Sequence, residues 1–373
     1  MRRSTNSGCR LEFRRQRPSN RSSALRAALL AVSHRSAFFA VWVILCLTFA
    51  SSAHAADRPR LTIYTASQKE QVAATAEAVA QLLPGAEIEW VRASTGVITE
   101  RVLSERDHPM ADMIVGLSAS SMLVLKQAGL LDPYRPEGVE HLRSSFLDPT
   151  EPYSFTGMDV YFPVICMNVE QAKRERISGP MLWRDLTDAS FKGRLVMAHP
   201  GSSGTGYGLV AGWLQSMGEA AGWAFMDALH ENVAVYLHTG SAPCLDVARG
   251  QHLVGLGLDM RAAAEKARGA PIEAIVPLDR VGWDLETFGI IKGTSQPALA
   301  RRIADWAVTR EANRIYAQSY SIVAHPRVQI PAAIALSHAE ARMAKVSLLW
   351  MAENRERIIA EWTNRYDGKA APR

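Results

Sequence analysis

From about residue 60 onward the chain alternates between two patterns. Short apolar runs end in Ser, Thr or Gly, and each is followed by a stretch whose apolar positions recur three and four apart. The first pattern reads as buried strand, the second as amphipathic helix. Thus Leu61–Tyr64, Ile88–Val91 and Met113–Gly116 predict strands, and Lys69–Leu83, Gly96–Arg106 and Ser121–Ala128 predict the helices between them. Past Pro152 and Gly157, the apolar run Tyr161–Met167 crosses into a second series. It comprises a strand at Leu195–Met197, helices to Met217 and over Glu219–His230, and strands at Val233–Leu237 and Leu253–Leu258. A helix over Met260–Arg268 and a strand at Ile272–Val276 follow, then a return linker, Pro277–Asp284. Leu285–Ile291 reads as a strand, Pro297–Val308 and Glu311–Ser319 as helices, and Ser337–Tyr366 as a helical tail anchored by Trp350 and Trp362. Strand–helix alternation with short connections predicts α/β lobes built on parallel sheets. Two crossings predict two lobes with a cleft: residues 56–160 with 285–373, and residues 161–284.

Length agrees, since 373 residues exceed what one core usually holds. The net charge of +5 is uneven. Residues 1–55 carry nine Arg and one Glu, leaving 33 basic against 36 acidic residues in the remainder. The basicity therefore gives no argument for nucleic acid. The Arg-rich start, the apolar run Ala37–Ala50 and the small-residue site Ala53-His54-Ala55 read as an export signal cleaved near Ala55. The expected location is the periplasm, with a true start downstream of Met1 as an alternative. Two cysteines remain, Cys166 and Cys244. In an oxidising compartment they suit one disulfide worth about 2–4 kcal/mol, with two buried thiols or a metal site as alternatives.

The loop Pro200-Gly201-Ser202-Ser203-Gly204-Thr205-Gly206-Tyr207 sits between a predicted strand and helix. Ser94-Thr95-Gly96, Ser118-Ala119-Ser120-Ser121 and Thr239-Gly240-Ser241 occupy similar places, and Thr65 closes the first strand. In open α/β sheets ligands lie beyond the carboxyl ends of strands. Hydroxyls and free amides at helix N-termini there can hold an anion without a buried counter-cation. The same residue types also make ordinary caps and turns. Asp259 and Asp284 could offer a carboxylate to an ammonium group, with Trp283 and Tyr207 as aromatic faces. Asp259 reads equally as a helix cap and Trp283 as core. Catalytic motifs fall short: there is no Gly-x-Ser-x-Gly elbow, and Gly204-Thr205-Gly206 lacks the Lys-Ser/Thr of a P-loop. His199 beside Ser202 is the seed of a rival reading, an exported phosphonate or phosphate hydrolase using Ser202 or Thr205. Tyr316 and Tyr320, four apart, are the tyrosines an iron site would use, or packing residues.

These residues resemble the periplasmic 2-aminoethylphosphonate-binding proteins of ABC transporters, within the ferric-iron and small-solute binding group. The resemblance is carried by Leu-Thr-Ile-Tyr-Thr-Ala (61–66), Trp-Val-Arg-Ala-Ser-Thr-Gly-Val-Ile-Thr (90–99), Gly-Leu-Ser-Ala-Ser-Ser (116–121), the loop at 200–207, His-Thr-Gly-Ser-Ala-Pro-Cys (238–244) and Gly-Trp-Asp-Leu-Glu (282–286). It implies the two-lobed class II periplasmic binding fold and a monomeric, non-enzymatic receptor without metal or cofactor, whose partners are a small phosphonate and a membrane permease. It implies a phosphonate held among Thr65, Ser94, Thr95, Ser118, Ser120, Ser202, Ser203, Gly204, Thr205, Thr239 and Ser241. It also places both cysteines in the family pattern, in support of the disulfide. Leu258-Asp259-Met260-Arg261 stands where the family pattern has Phe-Glu-Tyr-Arg, so the carboxylate is one methylene shorter and an aromatic is missing. A phosphate ester or ferric iron is the alternative cargo on the same fold.

Overall fold

A computed structural model describes residues 58–336 and 338–372. The expected export signal lies outside the described residues.

Two mixed sheets organise the described residues. The first has the order β2 (Glu87–Arg92), β1 (Arg60–Thr65), β3 (Met113–Ser118), β11 (Asp284–Ile291) and β4 (Leu131–Asp132), with β5 (Thr156–Tyr161) also paired to β11. The second runs β10 (Ile272–Ile275), β6 (Pro163–Asn168), β9 (Val254–Leu258), β7 (Leu195–Ala198) and β8 (Val233–Leu237). Residues of β3, β6 and β11 are buried along their whole length, as expected of strands covered on both faces.

Neither sheet is wholly parallel, which corrects the sequence expectation. β1, β2 and β3 are parallel, but β11 runs against β3, β4 and β5. In the second sheet β7, β8 and β9 are parallel, whereas β6 runs against β9 and β10. The physical reason is shared. β6 and β11 are the strands that arrive from the other lobe, so each starts at the edge where its neighbours end. The first crossing is very short: Tyr161 ends β5 and Pro163 begins β6, with Phe162 between them. The second spans residues 276–283, between β10 and β11.

Helices fall close to their predicted places, including Lys69–Leu82, Thr95–Ser104, Ala119–Gln127, Gly204–Met217, Glu219–Asn232 and Asp259–Ala267. The tail differs. A short helix, Ala339–Arg342, is separated from the long helix Leu348–Tyr366. Between them Met343 forms a bridge with Val281, whose N–H donates to Arg342 O while Ala344 N–H donates to Val281 O. Backbone groups spent on that bridge cannot continue a helix. The long helix packs on Ala119–Gln127 of the first lobe, yet Arg357 pairs with Glu219 and Tyr366 donates to Asp227 of the second. After it, Ala371 N–H donates to Tyr236 O on β8. The C-terminal segment thus touches both lobes.

A disulfide joins Cys166 of β6 to Cys244, at the start of the short helix Ala242–Ala248.

Candidate functional site

Loops from both lobes line a cavity of about 40 Å³. From the first lobe come Gln68, Arg92, Ser94, Thr95 and Ser118, and from the second Ser203, Gly204, Thr205, Thr239 and Gly240. Tyr161, at the first crossing, and Glu286, near the start of β11, complete the wall. The local sequence explains the convergence: each loop follows a strand and opens a helix. Ser203 caps the Gly204–Met217 helix by accepting Gly206 N–H at 3.2 Å, and Ser118 caps Ala119–Gln127 by accepting Ser121 N–H at 3.2 Å. The capped helices direct N-terminal amides and the positive ends of their dipoles at the same region.

Bonds across the cleft hold the two halves together. Gly96 N–H donates to Ser202 O at 2.9 Å, Ser94 Oγ to His238 O at 3.3 Å, and Ser241 Oγ to Gln68 Oε1. Farther out, Arg261 grips Glu70 with both terminal nitrogens, at 3.2 and 3.0 Å, and holds the Glu70 carboxyl at about 2, well below its ordinary range. Two glycines permit the approach. A Cβ on Gly96 would collide with the Gly201 carbonyl, and one on Gly204 would lie 2.6 Å from the Tyr161 hydroxyl.

The cavity's polar lining is mostly uncharged donors, with one carboxylate, Glu286, and one guanidinium, Arg92. Among the described residues, Tyr161 Oη is buried without a hydrogen-bond partner. Glu286 accepts from Ser67 Oγ at 2.9 Å, Gln71 Nε2 at 2.8 Å and the Tyr320 hydroxyl at 2.8 Å. Burial nevertheless pushes its pKa up. Arg92 donates from Nε to Ser67 O at 2.6 Å, which leaves its terminal nitrogens for the cavity mouth.

Of the residues singled out from sequence, Ser94, Thr95, Ser118, Ser203, Gly204, Thr205 and Thr239 share this wall. The others have different surroundings. Thr65 Oγ1 accepts Ser67 N–H behind the wall. Ser120 donates to Asp284, and Leu285 N–H donates to the same carboxyl, so Asp284 ties the first turn of the Ala119–Gln127 helix to the start of β11; burial raises its pKa to about 6. The Tyr207 hydroxyl donates to Met351 O and its ring lies under Arg355, a core position. Trp283 donates to Ala344 O and anchors the tail. Ser241 lies in the neighbouring outer chamber. Asp259, 1% exposed, accepts Phe162 N–H at 3.3 Å while its own N–H donates to Phe162 O. It is the first residue of its helix rather than the cap, and it clamps the first crossing. Burial pushes its pKa up to about 8.

Ser202 Oγ lies 3.3 Å from Nδ1 of His238, not on His199, whose Nε2 is 2.8 Å from Asp367. Ser202 thus bonds His238 rather than the His199 of the rival hydrolase reading. Tyr316 donates to Ala307 O and Tyr320 to Glu286, so neither tyrosine stands at the cavity wall.

Sequence reasoning missed Gln68, Arg92, Tyr161 and Glu286. Glu286 had a usable signal, a carboxylate inside the apolar run Leu285–Ile291, where charge without a purpose is costly. Arg92 stands at a strand end beside a loop already suspected. Tyr161 was hidden by its role as the first residue of a crossing run.

Residues 108–336 match the family described as bacterial extracellular solute-binding protein. An uncharacterised protein of Haemophilus influenzae is 27% identical over 275 residues, 73% of this chain and 79% of that one. A Salmonella typhimurium protein named "Putative 2-aminoethylphosphonate-binding periplasmic protein" is 23% identical over 237 residues, 61% of this chain and 66% of its own length. Among solved structures, the periplasmic binding protein AfuA of Actinobacillus pleuropneumoniae, with fructose-6-phosphate bound, superposes with a TM-score of 0.79. It is 24% identical and matches over 83% of this chain and 99% of AfuA.

Proposed function

Because the chain belongs to the bacterial extracellular solute-binding protein family, whose members serve ABC importers, we propose that its cargo is a small solute bearing a phosphonate or phosphate group. The first candidate is 2-aminoethylphosphonate. The observation that carries this reading is the cavity walled by Ser94, Thr95, Ser118, Ser203, Thr205 and Thr239 at converging helix N-termini. Such donors match phosphonate or phosphate oxygens, and Glu286 and the unpaired Tyr161 hydroxyl offer acceptors to an amine or hydroxyl on the rest of the solute. Membership supports periplasmic capture and delivery to a membrane permease. The two crossings act as hinges, and a solute that contacts both lobes favours the closed form by its differential affinity for it. No bond is made or broken.

A thermal-shift screen tests the reading with 2-aminoethylphosphonate, ethylphosphonate, fructose-6-phosphate, inorganic phosphate and ferric citrate. A concentration-dependent rise in Tm with a phosphonate or phosphate ester, and no turnover, is expected. A rise with ferric iron alone would replace the cargo, and consumption of a phosphonate would make the protein an enzyme.

A further inference from the structure

Next to the hydroxyl cavity lies a larger chamber of about 580 Å³, and the two share Gln68, Arg92 and Thr239 on their walls. Its lining is basic: Lys69 and Arg92 from the first lobe and Arg249, Arg261 and Arg268 from the second, against Glu70 and Glu265. Both acids are already engaged, since Glu70 pairs with Arg261 and Arg268, and Glu265 pairs with the same two arginines. Lys69 and Arg249 are exposed and make no ion pair among the described residues. This local excess of three positive charges occurs in a chain whose residues beyond 55 carry fewer basic than acidic groups. A concave positive patch at the mouth of a site raises the local concentration of anions and their on-rate by about 10- to 1000-fold.

We propose that this chamber is an outer anion subsite, where Lys69 and Arg249 hold a phosphonate or phosphate from opposite lobes before Arg92 passes it to the hydroxyl cavity. The inference rests on the anionic cargo proposed above. Arg92 suits the transfer because it lines both spaces and its Nε bond to Ser67 O fixes the guanidinium between them. The acids are neutralised by arginines that also cross the cleft, so the chamber's attraction persists when the lobes meet.

The test uses the mature protein and its Lys69→Gln/Arg249→Gln variant, both changes being at exposed, unpaired positions. Stopped-flow association of 2-aminoethylphosphonate at low salt should slow about fivefold in the variant, with dissociation unchanged. The difference should vanish at 1 M salt, where the Debye length is about 3 Å. Equal low-salt association rates would overturn the proposal. Should that ligand not bind the wild type, the anionic cargo reading fails on its own, and an NMR titration with inorganic phosphate still decides the chamber. Millimolar shifts at the Lys69 and Arg249 amides that disappear in the variant would support an outer subsite, and their absence from the wild type would overturn it.

Discussion

Asp259→Asn should stabilise the folded protein at neutral pH, and increasingly so above it. Asp259 is 1% exposed, one of its oxygens accepts the Phe162 N–H, and the other has no partner among the described residues. No cation forms an ion pair with it among the described residues. Burial moves its pKa from 3.8 to about 8, so the folded state holds a proton that the unfolded chain releases above pH 4. Stability therefore falls as pH rises through this window and levels off beyond pH 8. At 1.36 kcal/mol per unit the cost is about 4 kcal/mol at pH 7 and about 6 kcal/mol above pH 8. Asparagine has the same shape and keeps a carbonyl oxygen for the Phe162 N–H. Its amide nitrogen replaces an oxygen that already lacks a partner, at a cost of about 1–3 kcal/mol. The expected balance is a gain of roughly 1–3 kcal/mol at pH 7, larger at pH 8.5, reversing to a loss at pH 4.5. Urea unfolding of the ligand-free protein at these three pH values measures it directly. An equal loss at every pH would refute the reasoning, because the carboxyl would then carry no burial cost.

The remaining expectations concern closure, the cavity and the cross-link. Gly96→Ala should leave the fold intact but block lobe closure, since its Cβ meets the Gly201 carbonyl across the cleft; small-angle scattering should show an open form that added ligand no longer compacts. Thr205→Val should weaken phosphonate binding by about 1–3 kcal/mol by leaving an anion oxygen unpaired, and unchanged calorimetric affinity would remove that hydroxyl from the site. Replacing both Cys166 and Cys244 by Ser should cost about 4 kcal/mol, from a cross-link spanning 78 residues, and denaturant melts with and without reductant on the parent protein check it.

Local pattern made most elements legible. Runs such as Leu61–Tyr64 and Met113–Gly116 are apolar because both faces of their strands are covered, and the hydroxyl loops show themselves by following those runs directly. Strand direction was not legible: nothing within Leu285–Ile291 says that it runs against Met113–Ser118, because direction is set by where the chain re-enters the lobe. The site was half legible for a related reason. Ser94 and Ser203 advertise themselves as helix caps, whereas Gln68 and Glu286 reach the cavity through contacts between distant segments, Gln68 with Ser241 and Glu286 with Gln71. Asp259 was legible as a carboxylate at a strand end, but its clamp on Phe162 depends on β6 and β9 lying side by side.

The placement of β11 also dictates an order of assembly. The second sheet is built from one continuous stretch, Pro163 to Ile275, whereas the first cannot join β3 to β4 and β5 until residues 284–291 exist. A chain made from its N-terminus therefore carries β1, β2 and β3 through synthesis without the strand that completes their sheet. The lobe that begins later in sequence is complete first. Pulse-labelled hydrogen exchange during refolding should find the amides of Leu195–Ala198 and Val254–Leu258 protected before those of Met113–Ser118, because the longer loop between β3 and β11 delays that pairing.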